Sequence, residues 1–124
     1  MLYSYYLLAL QNWYTSDYKI HGLWADLTPT SYPTFCTDTP FDLDQLKQSH
    51  KYGEILDKWS DCSYEQTITL YEHEWTKHGT CISLQTGFSQ NEYFEKTLEL
   101  YNEFHESTCF DLNFERTNCT DYTQ

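Results

Sequence analysis

The chain has 124 residues, a formal net charge of −12, and a composition that is 40% hydrophobic and 19% aromatic, with twelve tyrosines. That length suits one small domain over residues 1–124, with enough apolar material for a core. A charge this negative repels polyanions and anionic membrane surfaces, so it excludes a nucleic-acid scaffold or storage protein but not an enzyme that grips one or two nucleotides locally.

The first ten residues are rich in Tyr and Leu. They lack a positive leading region and a small-residue cleavage site, so no signal peptide is evident in this chain. Residues 3–13 read as a buried, central strand. A polar turn follows over 14–19, and Tyr18 to Trp24 reads as a second strand ending in Gly22, which places His21 at a strand end. No apolar run reaches membrane-spanning length, so no membrane partner is expected.

All three prolines fall within residues 25–40, which predicts an irregular loop around Cys36. From Phe41 to Trp59 the pattern is helical, with Asp42 or Asp44 as a cap and an interruption at Gly53. Residues 60–63 form a break. Residues 65–78 predict a helix stopped by Gly79. Ser89-Gln90-Asn91-Glu92 has the form of a capping box, and Phe94, Leu98, Tyr101 and His105 repeat behind it, so a helix is predicted over 90–105. The alternation of Phe110, Leu112 and Phe114 predicts a closing hairpin, with its turn at Arg116-Thr117-Asn118. The fold class is α+β: an antiparallel sheet with packed helices and a site in a cleft at the strand ends.

Five cysteines in a chain this short point to disulfides and an oxidising compartment, and the odd count leaves at least one thiol over. Asn118-Cys119-Thr120 fits the acceptor pattern for N-glycosylation.

The stretch His73-Glu74-Trp75-Thr76-Lys77-His78-Gly79-Thr80-Cys81 concentrates the chemistry. On an α-helix His73, Lys77, Glu74 and His78 fall at about 0°, 40°, 100° and 140°, on one face. Three readings compete. The face could be solvated and laced by i,i+4 pairs. It could hold zinc, but His73 and His78 are five residues apart instead of the four that put both ligands on one ion. Or it could be half of an acid–base site, with His21 as the other half. Two histidines can serve as base and acid in RNA cleavage, Lys77 can stabilise a phosphorane, Glu74 can orient a histidine, and no metal is needed.

Ile20-His21-Gly22-Leu23-Trp24 and the 73–81 stretch, in this order, resemble the two active-site segments of the ribonuclease T2 family. Leu8-Ala9-Leu10-Gln11 is similar to that family's first strand, and Cys109 to Cys119 to its closing hairpin. The resemblance implies a metal-independent endoribonuclease, without a cofactor, that cleaves single-stranded RNA through a 2′,3′-cyclic phosphate. His21 and His78 would be the acid–base pair, His73 would bind phosphate, and Glu74 and Lys77 would stabilise the pentacoordinate state. Trp24, Asp26 and Tyr32 would form a base site. The implied disulfides are Cys36–Cys81 and Cys109–Cys119, with Cys62 unpaired in a monomer. The implied location is secreted or lysosomal/vacuolar. Relative to the family, Ala25 replaces a proline, an early cysteine pair is missing, and the stretch between the helix at 90–105 and the hairpin is shortened. The alternative expectation is therefore a catalytically impaired or inactive truncated member with a binding or regulatory role.

Overall fold

The computed structural model describes residues 5–12, 17–26 and 33–119. Four strands form one antiparallel sheet in the order β2-β1-β3-β4: β1 (Tyr5–Gln11), β2 (Lys19–Asp26), β3 (Thr108–Phe110) and β4 (Arg116–Thr117). The nearly continuous apolar run of β1 is explained by its place, with β2 on one side and β3 on the other. Tyr6 and Leu8 of β1 and Ile20, Leu23 and Ala25 of β2 are fully buried. They meet Trp59, Tyr71, Trp75, Tyr93 and Phe94 from the helices in one core cluster.

The helices are α1 (Leu43–Lys47), α2 (Tyr52–Lys58), α3 (Tyr64–Glu74), a π turn (Trp75–Gly79), α4 (Thr80–Thr86) and α5 (Gln90–Phe104). Asp42 caps α1 by accepting the Gln45 N–H, and Ser63 caps α3 in the same way from Gln66. The capping box at α5 is complete, and His105 ends that helix in the left-handed conformation. Trp59 and Tyr71 lie with their ring centroids 4.9 and 5.4 Å from that of Phe94 on α5.

Four expectations are corrected. Gly53 does not interrupt a helix; it lies in the first turn of α2, and the break falls at 48–51, where Ser49 Oγ accepts the Lys51 N–H and donates to Glu95 on α5. Gly79 does not stop α3. The chain runs on through the π turn into α4, and the stop is Gly87, at φ 83°. Arg116 and Thr117 form a strand, not a turn. The turn lies upstream, where the Asp111 carboxylate accepts the N–H groups of Asn113 and Glu115. Phe114 takes a left-handed φ of 62° there, and its ring stacks on Tyr6 at 4.6 Å; an Asp that binds backbone two residues on is a turn former in its own right. Finally, β2 does not end at Gly22 but continues to Asp26. Of the expected base-site residues, Tyr32 lies outside the described residues.

Candidate active site

The core positions of β2 are Ile20, Leu23 and Ala25, a spacing of three and then two. An unbroken strand alternates by two, which would bury His21 with Leu23. The pairing register explains the difference. Ala9 faces Gly22 while Leu10 faces Ile20, so His21 is an extra residue on β2. This β-bulge moves His21 off the core face and onto the face of Trp24 and Asp26. The sequence therefore placed His21 correctly in β2 but for a different reason: it sits at a bulge within the strand, and the cleft runs beside the strand instead of across strand ends.

Strand β2 is a sheet edge, and its outer backbone groups are bound by side chains from the helices. Trp59 Nε1 donates to the His21 carbonyl at 2.9 Å. The Tyr93 hydroxyl donates to the Leu23 carbonyl at 2.9 Å and accepts the Leu23 N–H at 3.4 Å. These bonds fix the bulge between two buried aromatic residues.

The other wall comes from α3 and the π turn, where the Thr80 N–H reaches back to the Trp75 carbonyl. A π turn fits one extra residue into a turn, so residues five apart come to lie about where residues four apart lie on an α-helix. His73 and His78 thus share a face more closely than an α-helix allows. The i+5 spacing weighed above against a shared metal loses its force here, although among the described residues no three metal-ligating side chains are grouped. Gly79 permits the tight turn: a Cβ there would lie 2.5 Å from Trp75 and 2.9 Å from Tyr93. The outer side is tied down by the Phe35 N–H on the Lys77 carbonyl at 2.9 Å, by the Cys36 N–H on Thr80 Oγ1 at 3.1 Å, and by the Cys36–Cys81 disulfide.

Between these walls lies a cavity of about 300 Å³ lined by Leu7, His21, Trp24, Asp26, His73, Glu74, Lys77 and His78. Seven of these were singled out in the sequence; Leu7 was not. The Glu74 carboxylate is buried, accepts the Trp24 indole N–H at 2.8 Å, and lies 3.7 Å from His21 Nε2. It occupies the space over Gly22, where any Cβ would collide with it. Gly22, Trp59 and Tyr93 are supporting residues that sequence reasoning missed. The only early sign was the broken alternation Ile20, Leu23, Ala25. The Trp24 ring stacks on His78 at 4.8 Å, with 24° between planes, and meets His21 edge-on at 5.3 Å.

The electrostatics follow from burial and from crowding of positive groups. Burial pushes Glu74 up to about 7, against the opposing pull of the Trp24 N–H and Lys77. Burial pushes Asp26 up to about 6, with a Tyr5 hydrogen bond opposing. His78 is driven down to about 3 by burial, then by Lys77, His73 and His21. Its Nδ1 has no hydrogen-bond partner among the described residues, so nothing there favours the imidazolium. His21 is lowered by burial and by His73, while Asp61 pulls it the other way. The result is a neutral imidazole facing a carboxylic acid that keeps its proton until about pH 7. Both shifts have burial as their largest cause, and each favours the uncharged form of its group.

Cys109 and Cys119 form the second disulfide, at the hairpin, and Cys62 is the free, exposed cysteine among the described residues. Asn118 is exposed beside Cys119. No helix among the described residues is long and apolar enough to cross a membrane.

The ribonuclease T2 family model matches residues 7–121. Extracellular ribonuclease LE of Solanum lycopersicum is 36% identical over 92 residues, covering 71% of this chain and 38% of that protein. Ribonuclease T2 of Sus scrofa is 38% identical over 95 residues, covering 70% of this chain and 43% of that protein. Among solved structures, ribonuclease MC1 from bitter gourd seeds aligns with a TM-score of 0.68 at 25% identity, over 82% of this chain and 59% of that one. An RNase-related protein from Calystegia sepium aligns with a TM-score of 0.76 at 20% identity, over 96% of this chain and 91% of that one, a likeness of fold. The chain spans 38–44% of the length of the first curated relatives it matches.

Proposed function

The chain belongs to the ribonuclease T2 family, and from that premise we propose that it cleaves single-stranded RNA as a metal-independent endoribonuclease. The observation that carries this reading is the shared cavity, where the bulge at His21 faces the π turn bearing Lys77 and His78 across the Glu74 carboxyl group. In the first step, neutral His78 takes the proton of a 2′-hydroxyl, and the 2′-oxygen attacks the adjacent phosphorus. The 5′-oxygen leaves with a proton from His21. The product is a 2′,3′-cyclic phosphate, which water opens to a 3′-phosphate with the two histidines in exchanged roles.

The direction of proton transfer is supported by the surroundings of the two rings. His78 is the more deeply buried and stays neutral down to about pH 3. His21 is 28% exposed; burial and His73 lower it as well, but Asp61 pulls it toward its charged form. A bound phosphodiester brings the negative charge that this crowd of cations lacks, which raises both histidines on binding. Lys77, and Glu74 while it holds its proton, donate to the phosphorane oxygens, and His73 steadies the phosphate. Trp24 and Asp26 form the wall against which a base would rest. The two disulfides and the extracellular relative support a secreted or lysosomal/vacuolar location.

The alternative is a family member with a binding or regulatory role and no catalysis. One assay separates the two. Folded protein, checked by circular dichroism, is incubated with single-stranded RNA in excess EDTA. We expect cleavage with a cyclic-phosphate product, and a loss of about a thousandfold in His78→Ala with the fold retained. Absence of cleavage by folded wild type would favour the non-catalytic reading, and activity that depends on added metal would sink the metal-independent one.

A further inference from the structure

The positive charge in this molecule is placed where it can serve one phosphate and little more. The chain carries seven Lys and Arg against nineteen Asp and Glu. Lys77 is the one Lys or Arg that lines the site cavity. Lys19 donates to the Asp57 carbonyl, Lys58 lies 3.7 Å from Asp57, Lys96 pairs with Glu99 at 2.9 Å, and Arg116 pairs with Glu106 at 2.8 Å. Lys47 and Lys51 remain, exposed at the end of α1 and the head of α2, and neither lines the cavity. The hollow that adjoins the cavity through His73 carries Asp61, Gln66, Thr69 and Leu70, and no Lys or Arg. Along α3, which walls both, Glu65 and Glu72 are exposed. A strand of RNA leaving the site therefore finds carboxylates where a polymer-binding enzyme would present a basic track.

We propose that the preferred substrate is a short oligoribonucleotide, and that cleavage of long RNA is held back by a repulsion that salt relieves. This rests on the ribonuclease reading above. The usual protein–nucleic acid complex weakens as salt rises, because counterions released on binding must be bound again. Here each phosphate beyond the first one or two adds repulsion without a contact, so the sign reverses for long chains. The screening length falls from about 30 Å at about 0.01 M salt to about 8 Å at about 0.15 M. The first distance spans much of a molecule this size; the second is confined to the site.

The test compares UpU with an oligouridylate of about twenty nucleotides between about 10 and about 150 mM NaCl at neutral pH. For the long substrate kcat/KM should rise on the order of tenfold across that range, while UpU changes by less than about twofold. A fall for the long substrate, or parallel behaviour of the two, overturns the proposal. The 2′-O-methyl forms carry the same charge, cannot be cleaved, and report affinity by fluorescence anisotropy. For the long form, a Kd that tightens with salt supports the proposal; one that weakens, or no binding of either form at any salt, overturns it. Binding with that salt dependence but without cleavage of either RNA would defeat the ribonuclease reading and leave the charge argument standing.

Discussion

Strands β2 and β4 are the two edges of one sheet, and they are protected in opposite ways. The β2 edge is eight residues long and carries His21, Trp24 and Asp26. An edge of that length invites another strand unless its backbone groups are occupied. Trp59 and Tyr93 occupy them, at the carbonyl of His21 and at both backbone groups of Leu23. The β4 edge is two residues long and needs no cover. It is held by the Cys109–Cys119 bridge and by an exposed Arg116–Glu106 pair. The contrast teaches where accuracy is stored. The edge that carries His21 is fixed by the side chains of Trp59, at the end of α2, and of Tyr93 on α5, so its geometry depends on the whole core. The hairpin edge is fixed locally.

The two disulfides offer the strongest test of that contrast. Cys36–Cys81 closes a separation of 45 residues and Cys109–Cys119 one of 10. Loop-closure entropy predicts that removing the first costs about 4 kcal/mol and the second about 2–3 kcal/mol. The effect on the site should differ more than the effect on stability. Cys36→Ala/Cys81→Ala frees the segment whose Phe35 N–H holds the Lys77 carbonyl, so kcat/KM should fall even at a temperature where the variant is folded. Cys109→Ala/Cys119→Ala should lower the melting temperature and leave kcat/KM within about twofold of wild type. If the hairpin variant lost activity while still folded, the two edges would not be independent. The route would run through β1, since Leu7 of the cavity faces both Trp24 and Cys109.

A second, smaller effect separates the edges by pH. Glu74 is raised to about 7 from an ordinary 4.5. Between those values the folded protein holds a proton that the unfolded chain has released, so folding stability falls as pH rises from about 4.5 to about 7 and stays lowered above that. Glu74→Gln keeps an acceptor for the Trp24 N–H and removes that ionisation. Its urea midpoint should match wild type near pH 4 and exceed it by the equivalent of about 1–3 kcal/mol at pH 8. The exposed Glu115→Gln on the hairpin should shift stability by less than about 0.5 kcal/mol at either pH. A Glu74→Gln protein less stable than wild type at pH 8 would show that attraction to Lys77 outweighs the cost of burial.

How much of this was legible in the sequence depends on the range of the cause. The capping box of α5 is written in neighbouring residues and was read correctly, and of the two candidate caps for α1, Asp42 and Asp44, the structure uses Asp42. The assembly of seven cavity residues was legible because two segments carry nearly all of them. The register was not. Ile20-His21-Gly22 contains a bulge visible only as a skipped alternation, and confirming it requires the pairing partner, Ala9-Leu10. Gly79 looked like a helix stop because glycine after a helix usually is one. Its true reason is the approach of two rings, Trp75 of the π turn itself and Tyr93 of another helix. Trp59 and Tyr93 are buried aromatic residues, and nothing local in the sequence says that their polar atoms hold an edge strand.

The smallest expected effect probes the point where the edge strand and the π turn are joined. Trp24 touches Glu74 through its indole N–H and His78 through its ring face. Trp24→Phe keeps a ring for the stack and deletes the donor. The N–H favours the ionised carboxylate, so its loss should push Glu74 further above 7 and carry the alkaline limb of the pH–rate profile upward. Losing the bond that orients the Glu74 carboxyl group should also lower kcat/KM on the order of tenfold, mainly through kcat. A purely structural role would lower the melting temperature and leave the alkaline limb in place. On the other edge, Arg116→Met breaks an exposed pair worth about 0–1 kcal/mol and should move neither the limb nor the rate. A displaced limb in Trp24→Phe beside an unmoved one in Arg116→Met would place the control of the Glu74 proton in the edge strand itself.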